Sequence, residues 1–159
     1  MKRDEKELLK LLLAHEIQWR DFYKLKADFA LTKTVKDLFT QFSKIEDEHI
    51  KRLFDFVEIS SFDFSNTTFE NFPTYVTTLK LYPETSVRSD LPLLEAAYMM
   101  EHDLTLLCQK IADVISNETV KRFLLNLMEL EKHQRDVLKN LHEEFLQQFW
   151  WEQGFYPVL

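Results

Sequence analysis

The sequence predicts an all-α protein: a four-helix bundle running up-down-down-up, with a long crossover between helices 2 and 3. Three observations predict it. One glycine and four prolines in 159 residues leave few breaks, as long helices require. Four stretches carry apolar residues at alternating steps of 4 and 3, the spacing of a packed helical seam. The chain also repeats: shifted by 85 residues, its first half falls on its second. The seam Leu9, Leu12, Glu16, Trp19, Tyr23, Lys26, Ala30 maps onto Leu94, Ala97, Glu101, Leu104, Cys108, Ile111, Ile115. The seam Val35, Phe39, Phe42, Glu46, His49, Leu53, Phe56 maps onto Val120, Leu124, Leu127, Glu131, Gln134, Leu138, Leu141. Each helix then carries one Glu in the middle of its buried stripe, and the two Glu of each half are 30 residues apart.

The bundle is assigned to residues 1–149 and an aromatic tail to 150–159. The first helix is expected from Asp4 or Glu5 to Leu31, with Asp4 as its cap and Lys10, Arg20 and Lys24 on its outer face. His15 neighbours Glu16 but points about 100° away on a helix, and is read as a surface residue. Tyr23 lies two turns beyond Glu16 on the same stripe. It is either a core tyrosine with a satisfied hydroxyl or a partner to a ligand carboxylate. A short turn at Thr32-Lys33 leads into the second helix, Thr34 to Ile59, with Asp47 and Glu48 solvated beside Glu46 and His49.

Residues 60–90 form the crossover. Ser, Thr, Asn and Pro break the heptad there, while Phe62, Phe64, Phe69, Phe72, Tyr75 and Tyr82 argue against disorder. A short helix is expected near Thr68 to Leu79, lying against the bundle. The third helix is expected from Asp90 or Leu91 to Ser116, with Pro92 in its first turn, Cys108 buried and His102 exposed. After a second short turn at Ser116-Asn117, the fourth helix runs from Glu118 to Phe149. Thr32 and Asn117 correspond in the repeat and are both helix-capping types. His142 is read as exposed or at a subunit contact. Trp150, Trp151, Phe155 and Tyr156 of the tail are read as packing on the bundle or on a second copy, so a homodimer is expected.

Short connections make the helices of each half antiparallel. Glu16 lies about as far before the first turn as Glu46 lies after it, so at ~1.5 Å of rise per residue both sit at one height. Glu101 and Glu131 do the same. If the two hairpins pack about a two-fold axis, four carboxylates and His49 converge on one layer. Two divalent cations balance four buried negative charges, which hydrogen bonds alone do poorly. A lone His on an apolar face is usually a core residue, but Glu46 stands one turn before His49 and three matching Glu lie elsewhere, so His49 is read as a ligand. Glu-x-x-His projecting from a bundle helix is a known metal-holding unit.

These residues resemble a ferritin-like di-iron carboxylate protein, of the rubrerythrin type, over residues 5–147. The first helix has Glu16 followed by Phe22-Tyr23, similar to the family's E-x5-F-Y, and the second has Glu46-Asp47-Glu48-His49, similar to its E-x-x-H. The third has Glu101 but Leu107-Cys108 in place of Phe-Tyr, and the fourth has Glu131 but Gln134 in place of the second His. The resemblance implies two iron ions, with manganese or zinc as alternatives, held by Glu16, Glu46, His49, Glu101, Glu131 and Gln134. It further implies reaction with peroxide or oxygen, in which Glu101 is the carboxylate that shifts and Tyr23 assists. Gln134 is a weaker donor than imidazole, and a π-bulge that turned His133 inward is the other source of a nitrogen ligand. Tyr98, one turn before Glu101, stands where the family often carries a further Glu.

One cysteine excludes both an internal disulfide framework and the paired C-x-x-C motifs of the rubredoxin domain, so an external, rubredoxin-like electron donor is expected. A net charge of −7 argues against nucleic acid and anionic membrane as partners. No signal peptide and no apolar run of spanning length is visible, so a cytoplasmic location is the default expectation. The alternative function is a non-catalytic bundle that binds or handles metal, or a scaffold with a degenerate site.

Overall fold

A computed structural model describes residues 2–57 and 86–154. Within them lie four helices and no strand: α1 (Arg3–Phe29), α2 (Lys33–Val57), α3 (Ser86–Val114) and α4 (Glu118–Glu152). The expected helix near Thr68 to Leu79 lies outside the described residues, as do the last residues of the tail.

The caps follow from the turn chemistry. Thr32 Oγ1 accepts from Val35 N at 3.2 Å and Asn117 Oδ1 accepts from Val120 N at 3.1 Å, so the two residues that correspond in the repeat cap α2 and α4 alike. α1 starts differently from expectation. Asp4 lies inside the helix, and Glu5 reaches back instead, accepting from Lys2 N at 3.3 Å. α3 starts four residues or more before the expected Asp90-Leu91, which puts Pro92 inside the helix. Proline cannot donate the helix bond of its position, so an Asp-Leu-Pro run reads as a helix start. Here Asp90 is occupied elsewhere, as described below. α4 continues past Phe149 through Trp150 and Trp151 to Glu152. Gly154, at φ 80°, then supplies the left-handed residue that ends it, its N–H donating to Trp151 O at 3.0 Å.

Contacts at the two ends fix the topology. Glu5, at the start of α1, accepts from Ser116 in the α3–α4 turn. Asp90, near the start of α3, accepts from Leu31 and Thr32 in the α1–α2 turn. α1 and α3 are therefore antiparallel, α2 and α3 parallel, and the order is up-down-down-up. That is a ferritin-like four-helix bundle: the seam spacing predicts the four-helix bundle, and its ferritin-like form is what the resemblance implies.

The core is divided in two. One cluster gathers the start of α1, the end of α2, the end of α3 and the start of α4, and it is mainly aliphatic: Leu9, Leu12, Leu53, Ile111 and Leu124 are examples. The other gathers the opposite ends and is aromatic, with Phe22, Tyr23, Phe39, Phe42 and Phe145. On α2, α3 and α4 the residues between the two clusters include Glu46, Glu101 and Glu131, and on α1 Glu16 lies beside Ile17, at the inner edge of the first cluster. The polar layer is thus the boundary of both cores, shielded from water at either end.

Candidate metal centre

All four glutamates are buried, with Glu16, Glu46 and Glu131 at 0% exposure and Glu101 at 1%. His49 and Gln134 are buried as well. The arrangement follows from helix geometry. Glu46 and His49 stand one turn apart on α2, as do Glu131 and Gln134 on α4, so both members of each pair face inward.

His49 is the hub. Its Nδ1 lies 3.1 Å from Glu131 Oε1, 3.3 Å from Glu46 Oε2 and 3.8 Å from Glu16 Oε2. One ligand atom from each of Glu16, Glu46, His49 and Glu131 falls within 4.8 Å of all the others, a spread that a single cation can bridge. Glu101 is not in that group. The Tyr23 hydroxyl donates to its Oε1 at 2.6 Å, across from one hairpin to the other. Tyr23 is therefore a partner to a carboxylate rather than an ordinary core tyrosine. Phe22, Phe39 and Phe42 pack around its ring at 5.6, 5.2 and 5.3 Å between centroids and hold it in place.

Gln134 is buried, and both its amide atoms lack a hydrogen-bond partner. The competing nitrogen source does not arise: α4 is an uninterrupted α-helix and His133 is exposed. His102 is exposed, its ring stacked on Tyr98 at 6.4 Å. His142 is half-buried and lines a surface groove with Tyr98 and Lys139. His15 is half-buried against Trp19, less open than expected. Cys108 is buried, and burial together with the nearby glutamates pushes its thiol pKa up, so it is an inert thiol in this state.

Burial raises the pKa of Glu16 well above the ordinary carboxylate range, and the neighbouring Glu46 carboxylate raises it further. Burial and then Glu131 do the same to Glu101, and burial followed by Glu16 and Glu46 to Glu131. Burial alone would lower the His49 pKa, but contacts with Glu131, Glu16 and Glu46 override it and keep the ring protonated. Burial, with Glu101 next to it, raises the Tyr23 pKa and keeps its hydroxyl a donor.

These directions fix a pH dependence. A group whose folded pKa is raised contributes its full stability below its unfolded value and loses it as pH rises through the folded value. For the three glutamates the decline starts above the unfolded carboxylate value of ~4.3, and for His49 above ~6.5. The melting temperature of the metal-free protein should therefore fall between pH 5 and 8. Divalent metal displaces those protons, so its stabilising effect should widen over the same interval. Thermal melts at each pH, with and without metal, check this. A metal-free melting temperature that rises with pH would contradict it.

The residues present fit a metal. Both oxygens of Glu16, Glu46 Oε1, Glu101 Oε2 and Glu131 Oε2 have no hydrogen-bond donor, although they are fully buried, and Glu131 Oε1 meets only His49 Nδ1. Orphaned buried oxygens of this kind are costly unless a cation takes them. The donor set is carboxylate oxygen with one imidazole nitrogen, which suits iron, manganese or zinc. Sequence reasoning missed Glu5 and Asp90, whose role lies outside this layer. The 85-residue offset pairs them with each other and could have found them.

Among the described residues no helix is long and apolar enough to cross a membrane. The family model described as Rubrerythrin matches residues 7–142. No curated protein and no solved structure matches the chain at a significant level. With the bundle, the four buried glutamates and a match over most of its length, the chain belongs to the rubrerythrin family.

Proposed function

We propose that the protein is a rubrerythrin-like redox protein with two metal ions, iron first, in the carboxylate layer. In this reading Glu16, Glu46, His49 and Glu131 hold the first ion. Glu101 and Gln134 would hold the second, with Glu46 and Glu131 available to it. When bound, two ferrous ions supply the two electrons that, with two protons, reduce hydrogen peroxide to two waters. The chain's own residues do the rest. The two core clusters exclude bulk water from both ends of the layer. Tyr23 holds Glu101 by Oε1, leaving Oε2 without a partner, so Glu101 is the carboxylate able to exchange one contact for another. The single observation that carries the reading is the set of buried carboxylate oxygens without donors, gathered around His49.

These 159 residues contain one cysteine, and a thiolate-ligated electron carrier needs more, so the electrons come from a donor outside them. A rubredoxin-like protein is the donor of matching chemistry. Trp150 and Trp151, 42% and 55% exposed at the end of α4, are the surface through which a second copy would dock.

A specific observation favours a second reading. Gln134 gives the second ion no imidazole, and Glu101 lies outside the tight group, so the bundle would bind or store metal without turning over. One experiment separates the two. Elemental analysis of the purified protein is followed by optical spectra after anaerobic ferrous iron and then one equivalent of peroxide. Rapid oxidation of bound iron, reversible on adding reductant, supports the enzyme. Metal that stays ferrous in the presence of peroxide would leave only the binding role.

A further inference from the structure

Two carboxylates outside the metal layer tie the hairpins together. Glu5 Oε1 accepts from Ser116 N at 2.7 Å and from Ser116 Oγ at 2.6 Å. Asp90 Oδ1 accepts from Leu31 N at 3.0 Å, and its Oδ2 accepts from Thr32 N at 2.8 Å and Thr32 Oγ1 at 2.6 Å. Both carboxylates are buried, Asp90 completely. Each joins the beginning of one hairpin to the turn of the other. They are charge-assisted contacts, the stronger kind of hydrogen bond. The Ser116 contacts hold the Glu5 carboxyl below its usual pKa range.

The two clasps are copies of each other. The 85-residue offset that carries Glu16 onto Glu101 also carries Glu5 onto Asp90 and Leu31-Thr32 onto Ser116-Asn117. Glu5 precedes Glu16 by the same number of residues as Asp90 precedes Glu101. At ~1.5 Å per residue each clasp therefore lies ~16 Å along its helix from the carboxylate layer, one on either side.

This placement matters because the two hairpins need an axial register. Within a hairpin, a short turn sets the height of Glu16 against Glu46 and of Glu101 against Glu131. Between hairpins no short turn exists. A slip of one helical turn, ~5.4 Å, would move each pair of glutamates out of reach of the other. Any such slip breaks both clasps at once.

We propose that Glu5 and Asp90 are positioning residues for the metal centre, fixing the register of the hairpins and so allowing Glu16, Glu46, Glu101 and Glu131 to hold metal together. The proposal rests on the metal reading given above. By reciprocity, metal in the layer must tighten the clasps by the factor that the clasps tighten metal binding.

Cobalt(II) is a suitable probe, because its visible spectrum reports coordination. In the full chain, Glu5→Gln with Asp90→Asn places amide groups against the backbone N–H donors. The double variant should keep its helical circular dichroism, bind cobalt(II) on the order of 10-fold more weakly and show an altered visible spectrum. In the wild type, hydrogen exchange at the amides of Leu31, Thr32 and Ser116 should slow on cobalt loading. A helical double variant with wild-type cobalt affinity and spectrum overturns the proposal. Unchanged exchange at those three amides overturns it as well, and that comparison needs no variant to fold. A wild type that takes up no cobalt(II) or iron removes the metal reading itself and the positioning role with it, an outcome distinct from the other two.

Discussion

Replacing Glu46 and Glu131 together with Ala should leave the bundle folded and unable to hold metal. These two side chains stand on α2 and α4, and both contact His49, at 3.3 and 3.1 Å. Removing them halves the layer's carboxylates and leaves each ion one Glu. Metal content after dialysis should fall from the wild-type level to background. Both carboxylates also contact buried His49, and Ala does not refill their volume, so the metal-free variant should melt lower than the metal-free wild type. The wild type alone should gain from metal: at a free concentration 100 times Kd, linkage gives ~2.7 kcal/mol, or roughly 5–10 °C for a chain of this size. Full metal content in the double variant would mean that bound ions lie elsewhere.

The second large effect concerns Gln134. Its buried amide has neither atom partnered, while Glu16, Glu46, His49 and Glu131 offer four ligand atoms within 4.8 Å of one another. Mild chelation should accordingly remove one ion before the other. Gln134→His should restore a nitrogen donor and raise the affinity of the weaker site on the order of 10- to 100-fold, the range seen when even supporting shells of metal sites are altered. If the centre turns over, the rate with peroxide should rise as well. His133→Ala is the control. His133 is exposed on an unbroken helix, so its loss should leave metal content unchanged. Competitive chelator titrations of the wild type and both variants measure this. Equal, tight affinity at both sites in the wild type and in His133→Ala would show that the amide is as good a ligand here as an imidazole.

The layer was legible in the sequence because helical periodicity is regular. A Glu recurring inside four apolar stripes, at one spacing within each half, leaves little freedom for where those side chains point. Burial of Glu16, Glu46, Glu101 and Glu131 bears that out. The asymmetry of the two halves was also readable, from Gln134 and Cys108 in the repeat. What was not readable depends on the partner across the bundle. Tyr23 could be placed on the right stripe, but its acceptor, Glu101, lies on the other hairpin. Asp90 was read as a possible first residue of the third helix because start signals are local, whereas it lies inside α3 and accepts from Leu31 and Thr32. The same local reading put Pro92 in a first turn and made α3 too short. Helix ends are decided by what satisfies the last backbone groups, and here tertiary contacts do so.

The most direct measurement is anomalous diffraction from a crystal of the protein loaded with ferrous iron under anaerobic conditions. Two iron peaks should lie in the layer of Glu16, Glu46, Glu101 and Glu131, ~3.5–4 Å apart, with the stronger peak on the His49 side. Iron bound only outside that layer, or a crystal that takes up none, would contradict the account.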